Sequence, residues 1–128
     1  MYKYGNLSNY KMEDNDCLKN IESFDRTGFN YTLSLVSGKY KLTVLYAIYR
    51  HKIIRFNELQ RYLKLVSHKT LSNTLKELEK DDLIIRKEYF QIPPKVEYSL
   101  SKKGETFIPI LYKMCKWGEL HQKHNNIN

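Results

Sequence analysis

The segment from Ser67 to Asp81 constrains this chain more than any other. At 100° per residue, Leu75 and Leu78 fall within about 40° of Leu71, while Lys69, Asn73, Lys76 and Lys80 gather within about 40° of the opposite direction. Ser72 lies on the flank between the two faces. Such a segment is a helix with one apolar stripe, and Ser67 is placed to cap it. Its neighbours leave it little freedom. Upstream, Asn57-Glu58-Leu59-Gln60 begins a brief helix, with Asn57 as cap, Gln60 bonding back to it, and Leu59, Leu63 and Tyr62 turned inward. Downstream, 83–89 and 96–100 are β-prone runs joined by Gln91-Ile92-Pro93-Pro94-Lys95, a loop that its prolines keep extended.

The rest of the chain fits around that unit. Leu42, Val44, Leu45, Tyr46, Ile48 and Tyr49 leave little polar face on a helix over 41–50, which is expected to be central. Leu33, Leu35 and Val36 form a short apolar segment ending at Ser37-Gly38, with the glycine suited to the residue just past a helix. Leu18, Ile21 and Phe24 predict a marginal helix that Asp14 or Asp16 caps and Gly28 stops. Ile53-Ile54-Arg55-Phe56 is a strand fragment, and Ser101 caps a terminal helix reaching about His121, bent by Pro109. A short helix, a tight link, a second helix and a hairpin make up the plan of a winged helix-turn-helix. The expected class is α+β, mostly α, with a C-terminal helix added: an arm over 1–28, the winged unit over 29–104, and a dimerisation helix and tail over 105–128.

Charge sharpens this plan. Residues 39–103 carry fifteen basic and seven acidic side chains, so the chain's whole net charge of +8 belongs to the central unit. An anionic partner is implied. Lysine can bond guanine or phosphate and asparagine can bond adenine bidentately, so Lys69, Ser72, Asn73 and Lys76, in the first turns of a helix over 68–81, have usable groove chemistry. The free N–H groups after Ser67, next to His68, can hold a phosphate. Arg86, Lys87 and Lys95 add positive charge to a wing over 84–100, where Val96, Tyr98 and Leu100 alternate onto one face. The expected partner is double-stranded DNA. The competing reading is a winged-helix module for protein–protein assembly, whose lysine face is solvated or meets an acidic protein.

The same residues carry a family resemblance. Val36-Ser37-Gly38-Lys39-Tyr40-Lys41 resembles the Ile-Gly-Gly-Lys-Trp-hydrophobic segment of HxlR-type winged-helix regulators, with Ser for the first Gly and Tyr for Trp. Arg55-Phe56-Asn57-Glu58-Leu59 is similar to that family's strand-to-helix junction. Ser67 through Glu79 is similar to its recognition helix, with His68 where Pro is usual. Pro93 through Gly104 resembles its wing and the chain leaving it, and Trp117-Gly118 the end of its last helix. The resemblance implies a bacterial, dimeric, DNA-binding transcription regulator related to the MarR type. It also implies that the terminal helix and the N-terminal segment form the dimer interface. Several relatives respond to oxidants through a cysteine ten residues before the motif, and counting back from Ser37 gives Thr27.

The ends add further expectations. On the terminal helix Phe107, Ile110, Leu111, Met114 and Trp117, together with Ile108 and Cys115, spread over about half the circumference, wider than one packing face needs, which suggests a second copy of the chain. Cys115 falls on that arc as a small buried hydrophobe, and Cys17 lies next to Asp14 and Asp16, which raise its pKa, so a redox switch through either is the weaker reading. His121, His124 and Glu119 are close enough in sequence for a metal, yet a solvated tail is the expected setting, and neither metal nor cofactor is expected. No nucleophile elbow, phosphate loop or paired-carboxylate setting argues for an enzyme. No run approaches the ~20 apolar residues of a membrane span, and the first residues lack a signal-peptide core, so a cytoplasmic protein is expected. Nothing in the sequence identifies an effector.

Overall fold

In the computed structural model, which describes residues 23–122, a single 3₁₀ turn at Phe24–Arg26 leads into α1 (Gly28–Val36) and α2 (Lys41–His51). There follow β1 (Ile54–Arg55), α3 (Phe56–Leu63), α4 (His68–Lys80), β2 (Ile84–Tyr89), β3 (Lys95–Leu100), α5 (Lys102–Thr106) and α6 (Ile108–His121). The strands form one antiparallel sheet in the order β1-β3-β2. Arg86 stands opposite Tyr98, and Ile54 pairs with Tyr98 from the other side. This is the winged helix-turn-helix expected from the sequence.

Burial of the leucine stripe decides where α4 lies. Leu71, Leu75 and Leu78 are buried against Val44, Leu45 and Ile48 of α2, Leu59 of α3 and Ile84 of β2. At roughly 2 kcal/mol for each buried leucine, packing outweighs the ~1 kcal/mol of the N-cap. That cap is Ser67, whose Oγ accepts from the Thr70 N–H at 3.1 Å. The α3–α4 link is held separately: Gln60 Nε2 donates to the Val66 carbonyl at 3.2 Å, and Val66 itself is buried.

α4 ends in two crossing bonds, Leu83 N–H to the Leu78 carbonyl at 2.9 Å and Asp82 N–H to the Glu79 carbonyl at 3.0 Å. This closure puts the intervening residue in the left-handed region, and here that residue is Asp82 at φ 62° rather than glycine. A left-handed non-glycine residue costs about 1–2 kcal/mol. Asp82→Gly is therefore expected to raise Tm by about 4–8 °C in a thermal melt. A lower Tm would show that the Asp82 side chain compensates its backbone.

Four expectations change. Gly28 starts α1 instead of ending a helix, because Thr27 caps it by accepting from Asn30 N–H at 3.0 Å. Asn57 does not cap α3: the helix begins one residue earlier, and Glu58 Oε1 accepts from the Arg55 N–H at 2.9 Å. Tyr62 is exposed, edge-on to His51 at 5.0 Å between ring centres. The terminal helix is two helices broken at Phe107, since Pro109 occupies the first turn of α6, where a missing N–H costs nothing. The marginal helix around Leu18 and Ile21 lies outside the described residues.

Among the described residues, one charged side chain belongs to the interior. Lys41, at the head of α2, is buried and its Nζ meets Glu77 Oε1 of α4 at 3.1 Å. The pair ties the α1–α2 corner to the helix that carries the outward lysines.

Candidate nucleic-acid interface

With the leucine stripe buried, the opposite face of α4 is turned outward. Lys69, Asn73, Lys76 and Lys80 are exposed and Ser72 is half-buried, as the spacing predicts. Among the described residues, no acidic side chain forms an ion pair with Lys69 or Lys76. The acidic residues Glu77 and Glu79 sit toward the C-terminal end, which biases the positive potential to the first turns. Ser67 already spends its hydroxyl on Thr70, accepting from the N–H and donating to Oγ1 at 3.0 Å. His68 packs its ring on Phe56 at 4.7 Å between centres, which fixes the start of α4 against α3.

The hairpin stands beside this face. Ser72, Lys76 and Glu79 of α4 line a cleft of about 340 Å³ with Arg86 and Tyr98 of the sheet, so helix and wing share one concave surface. Arg86 Nη1 bonds Glu88 Oε1 at 3.1 Å; that bond, aided by Tyr98, holds its pKa above the ordinary arginine value. Lys87 and Lys95 both lie over the Tyr89 ring, at 4.9 and 4.2 Å from its centre. Lys95 is half-buried and also meets Glu97 Oε2 at 3.7 Å, while Tyr89 donates its hydroxyl to Glu97 Oε1 at 2.9 Å. The wing's cations are thus partly neutralised within the hairpin. Between helix and wing, the freer positive charge is on α4.

The ends of the chain divide differently from the sequence reading. Leu111 is buried in the chain's own core and Phe107 packs against it, so these two serve the fold rather than a free face. Ile110 is half-buried, while Met114 and Trp117 stay exposed, as do Tyr112 and Leu120. Cys115 is exposed, not buried, and Cys17 lies outside the described residues. Thr27 uses its side chain structurally, donating to the Phe24 carbonyl at 2.8 Å while capping α1. His121 stacks on Trp117 at 4.3 Å, and no group of His, Cys, Asp or Glu among the described residues is placed to hold a metal. His124 lies outside them. No described helix is long and apolar enough to cross a membrane. Sequence reasoning passed over the tip of the wing, where Phe90 and Ile92 are almost fully exposed. Their signal was two large apolar residues in a loop, next to prolines.

Residues 35–126, most of the chain, match the HxlR-like helix-turn-helix family. The chain belongs to that family. It is similar to an uncharacterized HTH-type transcriptional regulator, BH0655, of Halalkalibacterium halodurans: 50% identity over 107 residues, which is 84% of this chain and 92% of the relative. Among solved structures, the HTH-type transcriptional regulator ytcD is 37% identical with a TM-score of 0.72, covering 76% of this chain and 98% of that one. The redox regulator HypR in its oxidized form is 39% identical with a TM-score of 0.68, covering 73% and 95% respectively. The HxlR-like match starts inside α1 and takes in α4, the wing and α6.

Proposed function

We propose that this HxlR-like chain is a transcription regulator that binds duplex DNA as a homodimer at a pseudo-palindromic operator. The observation that carries this reading is the outward face of α4, where Lys69, Asn73 and Lys76 stand exposed beside Ser72 with no acidic partner among the described residues. Those four enter the major groove, with base contacts from the first turns. The N–H groups at the start of the helix, behind Ser67 and His68, take a phosphate. Arg86, Lys87 and Lys95 lay the wing on the backbone or in the minor groove, with Lys95 contributing least because Glu97 and Tyr89 already occupy it.

The second copy packs through α6. Met114, Trp117 and Leu120 leave an exposed apolar face that a second copy would cover. With the terminal segment 105–128 and the arm 1–28 joining the two copies, the units over 29–104 present their helices about one turn of DNA apart, ~34 Å.

Selection from a random duplex library tests this. The expected result is a two-fold motif with that spacing, and an affinity that falls linearly with salt on a log–log plot as lysines displace counterions. A winged-helix module serving protein assembly yields no motif and no such slope with random duplexes.

A further inference from the structure

The tip of the wing carries no charge and is apolar, unlike its stem. Phe90 is 93% exposed and Ile92 99%, beside Pro93 and Pro94. These side chains cannot serve the chain's own core: β2 is buried only at Ile84 at its base, and at ~3.4 Å per residue the tip stands about 20 Å beyond it. The prolines fix φ on one side of the loop and so reduce the entropy lost when the tip is held in place. Glu88, Tyr89, Phe90, Gln91, Ile92 and Pro94 surround an open hollow of about 550 Å³. The stem behind this tip carries Arg86, Lys87 and Lys95 against Glu88 and Glu97, a net charge of +1 that favours a phosphate backbone beside the tip.

We infer that Phe90 and Ile92 form an apolar wedge that enters the minor groove and opens a base step, bending the DNA. This rests on the DNA-binding reading above and adds a source of specificity to it. Apolar side chains at the ends of positively charged elements unstack base steps and kink the duplex toward the major groove. The cost of the kink depends on the step, with TA and CA/TG yielding most easily. The wing therefore selects deformable steps flanking each half-site without hydrogen-bonding any base there. Charge continuity with the lysine face of α4 across the shared cleft favours DNA over a protein or lipid occupant.

The test uses a duplex selected by the wild-type chain, end-labelled for energy transfer and carrying 2-aminopurine in turn at each step flanking the half-sites. Wild type is expected to bring the ends closer and to raise 2-aminopurine fluorescence several-fold at one step per half-site. The Phe90→Ala/Ile92→Ala chain is expected to keep its melting temperature and its preferred half-site, to bind about tenfold more weakly, and to produce neither signal. Equal bending and fluorescence from the two chains would overturn the wedge and leave the reading helix standing. So would a change in oligomeric state of the free double variant, which would place the tip against another copy. A wild-type chain that selects no sequence at all would bring down both readings.

Discussion

Gly104→Ala is expected to destabilise the fold by about 3 kcal/mol or more, a fall in Tm on the order of 10–20 °C. Gly104 is buried at the start of α5, where its N–H donates to Ser101 Oγ at 2.9 Å. A Cβ there would lie 2.1 Å from the Leu83 carbonyl oxygen and 3.2 Å from its carbon. The obstacle is backbone, so no side-chain rotation relieves it. That same carbonyl accepts from the Ser101 N–H at 3.1 Å, and Ser101 Oγ donates to the Asp82 carbonyl at 2.6 Å. Moving Leu83 aside breaks these bonds at about 1 kcal/mol each, on top of the steric cost. It also disturbs two elements at once, because Leu83 closes α4 and precedes β2. Against a total stability of roughly 5–15 kcal/mol the loss is large, and differential scanning calorimetry reads it directly. A variant melting within a few degrees of wild type would mean that the α4–wing junction yields without cost.

The contrast with Asp82, at the same junction, shows what a sequence can and cannot disclose. Periodicity located α4 to within one residue, because three leucines at helical spacing must find a core and the opposite lysines must not. The hairpin was legible for the same kind of reason: Val96, Tyr98 and Leu100 share the face that packs on Ile54 and Ile84. Gly104 was visible only through family resemblance, since its requirement comes from a carbonyl twenty-one positions earlier in the chain.

Helix ends were the weak point, and local chemistry explains each miss. Gly28 reads as a stop only if Thr27 is overlooked as a cap. Pro109 reads as a bend only if a helix is assumed to run through it, whereas a proline in the first turn marks a beginning. For α3, the capping contact comes from Glu58 reaching back to Arg55, a partner three residues upstream whose own side chain gives no cue. The interface arc failed differently. Phe107 and Leu111 lie on the same apolar stripe as Met114, and only the fold shows that the first two are consumed by the core while Met114 and Trp117 remain outside. Charge on the wing was overestimated for a related reason: counting Arg86, Lys87 and Lys95 ignores Glu88 and Glu97, which the antiparallel register sets among them.

That redistribution of charge makes α4 the decisive element, and Asn73→Ala/Lys76→Ala is expected to abolish specific binding in a gel-shift assay. Each well-placed base contact is worth about 1–3 kcal/mol of discrimination. Two lost contacts in each of two half-sites, even at the low end, weaken operator binding about a thousandfold. Removing Lys76 should also lower the salt slope by about one per half-site. Stability is not expected to fall: both side chains are exposed, neither has an ion-pair partner among the described residues, and alanine is the better helix former. Lys80→Ala separates base reading from bulk charge, because Lys80 shares the outward face but lies in the last turn beside Glu79 and Asp81. It should leave the preferred sequence intact. If Lys80→Ala costs as much as the double variant, the face contributes charge alone and α4 does not read bases. If the double variant binds its site like wild type, α4 is not the recognition helix.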